Sequence, residues 1–330
     1  ASGDLVVRLA RAYMHNGRIN DAIQLCNDNK AILSELDRLR LAAEVAGLRN
    51  QWQKQVEYHE QILKRQPLNH YIIDQQATLL GRHQGDDAAV AFIERCLALN
   101  PRDRDLLFLK LDWIYQRPLA EREQFARSVV ELHPRDAEAY VRLARIQQQQ
   151  RHLAEAEASA ATACEINPYD GQAAIALGDI LLQQEAVERA HQVFRSVVDR
   201  AVDTDGIFQR LLNCCADFEA KQAELRHIHA QLMAQTSYGN GILEYLDVAR
   251  DLVKDEDLLM FLEQACELRP DLWQAWVARA MHLKTMDRLD EAARIIDEAR
   301  RRFPLLPRVY LESGRIRFVA LQFDAALRDV

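Results

Sequence analysis

Six prolines of this 330-residue chain stand on one lattice. Pro67, Pro101, Pro134, Pro168, Pro270 and Pro304 are separated by 34, 33, 34, 102 and 34 residues, and 102 is three times 34. The two missing teeth fall near Val202 and Thr236, where the surrounding pattern continues without proline. Proline lacks the N–H needed to extend a helix, and its ring crowds the preceding turn. A fixed proline period therefore predicts a helical unit that ends and restarts on schedule. A period of this length marks a repeat array.

The residues between the prolines agree. In Ala137 to Asp170, Tyr140, Leu143, Ala144 and Gln147 recur at helical spacing, then Ala156, Ala160 and Ala163 do the same. The spacing predicts two amphipathic helices joined near Arg151 to Ala154. The next unit reads Leu177, Gly178, Leu181, Ala190, Phe194, Val197, and a later one Trp276, Ala280, Leu283, Ala292, Ile296, Ala299. Small residues hold the eighth position (Ala144, Gly178, Ala280, Gly314) and the twentieth (Ala22, Ala89, Ala156, Ala190, Ala292, Ala326). Two helices can approach closely there, with a larger residue filling the next gap. Composition points the same way: 11 Gly and 8 Pro are too few to punctuate a many-stranded sheet protein.

With small, large and proline positions in phase, the chain resembles the tetratricopeptide-repeat family over its whole length. Units begin near Gly3, Leu36, His70, Asp103, Ala137, Gly171, Asp205, Gly239, Trp273 and Pro307. The resemblance implies an all-α superhelical solenoid of stacked antiparallel helix pairs, a single array over residues 1–330. It has about nine full repeats, a degenerate one over 205–238, and a tenth incomplete from 307. Departures are local: Gln55 and Arg122 sit where a small residue is expected, and Pro118 shortens a linker. The array stops inside its last helix pair without a polar cap, so further repeats or another domain are expected to follow Val330.

No catalytic constellation interrupts this pattern. HExxH, CxxC, GxSxG, phosphate-loop and GxGxxG motifs are missing from the sequence, and no cofactor or metal is expected. Cys26, Cys96, Cys164 and Cys266 occupy packing slots of second helices, and Cys214 and Cys215 are adjacent; all six read as free thiols acting as small hydrophobes. Free thiols favour a reducing, cytoplasmic compartment; a periplasmic one stays open for a fragment. His227 and His229 lie two apart, on different faces of a helix. Gly239-Asn240-Gly241 reads as a turn that starts a repeat, with anion binding at the helix N-terminus as the rival reading. Arg300 to Arg302, with Arg315 and Arg317, read as a solvated helix end. The net charge of −8 argues against nucleic acid as a partner. The most apolar run, Ala173 to Leu182, is broken by Asp179, so no membrane insertion is expected.

Function then rests on surface shape. In the family, the inner wall is lined by first helices, and the resemblance carries this to Arg11, Met14 and His15, to Asp37, Arg40 and Glu44, and to Tyr71, Asp74 and Arg82. The same positions further along are Arg104, Leu107, Leu111, Ile114 and Tyr115, then Arg145, Gln148 and Gln149; these eight are the candidate groove residues. Four large apolar or aromatic side chains between Leu107 and Tyr115 would face a groove, the mark of a contact site. The clamp that holds acidic chaperone tails is missing, since the fifth position holds Val7, Arg40, Asp74, Leu107, Val141 and Ile175. So is the asparagine ladder of nucleocytoplasmic sugar transferases: Arg8, Leu41, Gln75, Phe108, Arg142 and Ala176 stand at the sixth position. The expectation is a non-enzymatic scaffold that binds a protein or peptide segment in its groove, within a larger polypeptide or complex. The alternative is the substrate-presenting arm of an enzyme (glycosyltransferase, sulfotransferase or protease-like) or of a bacterial polysaccharide-export protein. Self-association through the uncapped last repeat is a third reading.

Overall fold

The computed structural model describes residues 2–235 and 239–329; the lattice position at Thr236 lies outside the described residues, as does the end of the weak repeat. Among the described residues there are twenty helices and no strand, arranged as ten consecutive helix pairs. The expected all-α plan holds. First helices begin within two residues of the starts read from the sequence. The sequence reads as one array, and the contacts group it into two compact units, Ala1–Pro134 and Arg135–Val330.

Unit 1 contains α1 (Gly3–His15), α2 (Ile19–Asp28), α3 (Glu35–Leu48), α4 (Trp52–Arg65), α5 (His70–Gln84), α6 (Asp86–Leu99), α7 (Arg104–Trp113) and α8 (Leu119–Leu132). Unit 2 contains α9 (Ala137–Gln149), α10 (Leu153–Ile166), α11 (Gly171–Gln183), α12 (Val187–Arg200), α13 (Ile207–Asn213), α14 (Phe218–Ala234), α15 (Gly241–Ala249), α16 (Asp255–Leu268), α17 (Trp273–Thr285), α18 (Leu289–Arg302), α19 (Pro307–Val319) and α20 (Phe323–Asp329). Within each unit a helix packs on its own partner and on the next pair. Unit 1 carries small separate cores, such as Ile73, Ala77, Ala89, Phe92, Ile93 and Leu106. Unit 2 has one long core running from Ala174 to Ile316.

The helix ends explain the period. Each lattice proline lies two residues beyond a second helix. The intervening residues, Gln66, Asn100, His133, Asn167, Arg269 and Phe303, have φ between −125° and −144° and ψ between 60° and 90°. Proline forces its predecessor out of the α region, and the chain leaves the helix there. Ala201 takes the same geometry (φ −149°, ψ 71°) with Val202 in the proline's place. At that end the Gln235 amide takes over: its Nε2 donates to the Val198 carbonyl at 2.8 Å, and the Val202 N–H donates to its Oε1 at 3.1 Å.

A second period lies between the helices of a pair. Gly17, Asn50, Arg151, Glu185, Asp287 and Leu321 have φ between 54° and 73°. Each ends a first helix in a Schellman turn: Arg18, Gln51, His152, Ala186, Arg288 and Gln322 donate N–H bonds of 2.8–3.0 Å to carbonyls five residues back. First helices also start on side-chain caps: Ser2, Ser34, Asn69, Asp103, Asp136 and Asp170 all accept from backbone N–H groups in the first turn.

The small positions are buried as expected, Ala89, Ala156, Ala190 and Ala292 completely. At Gly178 a side chain would overlap the Phe194 ring of the partner helix. Where Gln55 replaces the small residue, its amide lies against Gly47, whose missing Cβ makes the room. Short helices α13 and α15 repair the weak repeats by exchanging caps. Glu244 of α15 accepts from the Gly206 and Phe208 N–H groups (3.1 and 3.0 Å), and Asp203 accepts from those of Gly239 and Gly241 (both 2.9 Å). The anion at the Gly239-Asn240-Gly241 turn is thus the chain's own carboxylate.

All six cysteines are free, with Cys96 and Cys266 buried. Burial pushes the Cys164 and Cys214 thiols up to about 11 and Cys266 up to about 12, far from reactive thiolate behaviour. The arginine-rich stretch is paired: Arg301 and Arg302 both bind Glu298, at 2.7 and 2.8 Å, and Arg300 and Arg317 both reach Asp297. No helix among the described residues is long and apolar enough to cross a membrane.

Candidate functional site

In unit 1, α1, α3 and α5 send groove-position side chains to one cavity of about 360 Å³. Arg11 of α1 and Glu44 of α3 form an ion pair across the two repeats, with Nη2 2.7 Å from Oε1 and Nε 3.1 and 3.2 Å from the two oxygens. The hydrogen bonds to Glu44 raise the Arg11 pKa, locking in a charge that is already permanent at neutral pH. Arg40 donates to Gln66 Oε1 at 3.2 Å and stands 3.9 Å from Asp37, leaving guanidinium donors facing solvent. Tyr71 is exposed, and Gln75 adds an amide to the wall.

The second helix α4 supplies what the first-helix pattern does not show. Gln55 and His59 line the same cavity. His59 is 3% exposed, and its Nδ1 is buried with no hydrogen-bond partner. Burial lowers its pKa to about 4, so the ring is neutral at physiological pH. The cavity thus combines a fixed ion pair, a second guanidinium held by Gln66 and Asp37, amides, an exposed phenol and an unsatisfied neutral imidazole. That set suits recognition of a polar peptide stretch, with Arg40 for an acidic or carbonyl group and Tyr71 for an apolar side chain.

Residues 148–205 match the family model of the tetratricopeptide repeat. That span runs from the end of α9 through α12, and its 34-residue frame is the one on which the other pairs lie. Over residues 148–205 the chain carries tetratricopeptide repeats. No curated protein matches the sequence. Among solved structures, the Naa15/Naa10 complex bound to HypK-THB aligns with 99% of this chain and 62% of that one, at 14% identity and a TM-score of 0.44. MamA from Desulfovibrio magneticus RS-1, residue 41 to its end, aligns with 52% of this chain and 97% of that one (16% identity, TM-score 0.40). Another MamA structure aligns with 50% and 91% (11% identity, TM-score 0.39). This chain spans about 62% of the length of the first of these.

The fourth helix pair does not present the apolar groove expected of it. Leu107, Leu111 and Ile114 are each at most 5% exposed. Helix α7 ends at Trp113 after ten residues, three to five fewer than in the other first helices of unit 1. Trp113 packs on the bare backbone of Gly81. The repeat therefore spends its large residues on the interior. Arg104 and Tyr115 remain at the surface, the first with its guanidinium 4.4 Å over the Phe108 ring, the second accepting from Gln116 Nε2 at 2.6 Å. Met14 is also buried, while His15, Asp74 and Arg82 are exposed. In unit 2, Arg145 donates to Gln172 Oε1 of the next repeat at 3.2 Å; Gln148 is half-buried and Gln149 exposed. Arg210 and Asp179 form a further bridge between repeats at 3.0 Å. His59 lies on a second helix, outside the first-helix pattern, and its spacing three residues before buried Ile62 is the sequence signal that turns it inward.

Proposed function

We propose that the chain is a protein-interaction scaffold that holds a peptide segment of its partner against the first-helix side of its repeats, with the Arg40–Tyr71 cavity of unit 1 as an anchoring point. The buried, unpartnered Nδ1 of His59, a lining residue of that cavity, carries the reading, because an unsatisfied buried polar atom is costly and a polar group of a ligand would satisfy it, as donor or acceptor according to the tautomer. Arg104 and Tyr115 extend the exposed first-helix surface of the same unit, and Arg145, Gln148 and Gln149 serve as contact residues in unit 2. Repeats of this kind bind through pre-formed shape and a few anchors, so single anchors matter more than ionic strength.

Selection of binders from a random peptide library on the intact chain tests this. Binders should lose at least about ten-fold in affinity on a chain carrying Arg40→Glu and Tyr71→Ala, the loss expected of anchor truncation. Binders indifferent to both changes would show that this cavity is not the contact point.

A further inference from the structure

Beside the Arg40–Tyr71 cavity of unit 1, the turn between α4 and α5 and the end of α6 form an open recess of about 700 Å³. Gln66, Pro67, Leu68, Asn69 and Leu99 line it. Leu99 is 70% exposed and Leu68 45%, and Tyr71, two residues beyond Asn69, is 71% exposed. A single exposed leucine is ordinary, but leucines that meet at one recess beside an exposed phenol make an apolar patch, the mark of a contact surface.

The lining states which chemistry fits. Among the described residues no charged side chain lines the recess. Its charged neighbours in sequence are Lys64, Arg65, His70, Arg102 and Asp103. Arg65 is held by Glu35, and His70 is held by Asp103, with Nε2 2.9 Å from both carboxylate oxygens. Lys64 and Arg102 do not reach the lining. The two amides are engaged with their surroundings: Asn69 Nδ2 donates to Gln66 Oε1 at 2.9 Å, and Asn69 Oδ1 accepts the Ile72 N–H at 3.2 Å. The proline ring and the two leucines are left to make the contact.

The recess is also joined to the cavity. Asn69 lines both, and the Gln66 oxygen that binds Asn69 is the one that receives Arg40 at 3.2 Å. An extended chain advances about 3.3 Å per residue, so a residue two or three positions from one seated in the cavity reaches across Asn69.

We infer that the peptide bound at the Arg40–Tyr71 cavity carries an aliphatic side chain two or three residues from its polar anchor, and that this side chain fills the Leu68–Leu99 recess. The inference rests on the cavity reading above and adds the second half of the recognised motif, a polar residue and an aliphatic one at a fixed separation.

A random nine-residue peptide library, selected on the intact chain, supplies the probe. The selected peptides should share a leucine, isoleucine or methionine at a constant distance from their polar residues. Serine in place of that residue should weaken binding about five-fold, and so should Leu68→Ser with Leu99→Gln, two changes at exposed positions. The serine peptide should bind this variant no more weakly than either change alone allows, because both remove the same contact. Arg40→Glu with Tyr71→Ala should weaken the parent and serine peptides alike. Peptides that need Arg40 and Tyr71 yet share no aliphatic residue, bind the Leu68/Leu99 variant undiminished, or show additive losses would overturn the recess and leave the cavity standing. Peptides indifferent to Arg40 and Tyr71, or a library that yields none, would overturn both.

Discussion

Gly178 has no side chain because the ring of Phe194 occupies the space one would need. Gly178→Ala gains helix propensity, yet it must push an aromatic ring out of a packed core. The net result should be a loss of about 2 kcal/mol in denaturant unfolding. His59 makes a different single-residue prediction. Its folded pKa is about 4 against an ordinary 6.5. Between those values the unfolded chain binds a proton that the folded chain refuses, so stability is full above pH 6.5 and declines as the pH falls toward 4. The decline attributable to this ring is about 3 kcal/mol. Unfolding midpoints of the chain and of His59→Gln, compared at pH 7 and pH 4.5, should converge or cross as the pH falls, because only the parent carries this penalty. A constant gap between the two would mean the ring is free to ionise in the fold. The Glu244 carboxyl has the opposite sign: burial raises its pKa, so its contribution weakens as the pH rises through its folded value.

At the scale of the element, two turns of opposite legibility bound each helix pair. The break after a second helix was readable because proline enforces it. The break after a first helix was not, because Arg151, Glu185 and Leu321 hold left-handed backbone that their side chains do not favour. Only Gly17, Asn50 and Asp287 carry a residue type suited to it. The Schellman hydrogen bonds hold the others there, at a conformational cost. Glu185→Gly should therefore stabilise the chain by about 1 kcal/mol, and Gly17→Ala should destabilise it by a similar amount, both measured by thermal unfolding. The proline lattice yields a less intuitive expectation. Val202→Pro would complete the missing tooth, and Ala201 already has the backbone that precedes a proline. Yet the Val202 N–H is bound by Gln235 and its side chain is buried. Completing the lattice should destabilise by about 1–3 kcal/mol, since the partly buried Gln235 Oε1 loses its donor.

Across the whole molecule, the period, the helix-pair plan and the close-packed small positions were all legible, because each recurs and repetition averages out local exceptions. Exposure of individual large residues was not. In the fourth repeat, Leu107 and Leu111 hold groove positions but are buried, since the early end of α7 shifts what its residues cover. The Arg11–Glu44 pair and His59 were illegible as a cavity for a related reason: they share it with Tyr71 only when three repeats are stacked. The same locality governs stability. Contacts run between neighbouring helices, so the cost of a defect should spread along the array and fade with distance. Phe208 is fully buried in the long core of unit 2, and Phe208→Ala should cost about 4 kcal/mol there. Amide hydrogen exchange should then quicken most across α11 to α17, the helices of that core nearest Phe208, while α1 to α6 keep their protection. Equal acceleration in α1 to α6 would mean that the chain opens as one cooperative body and that its repeats do not act as neighbours only.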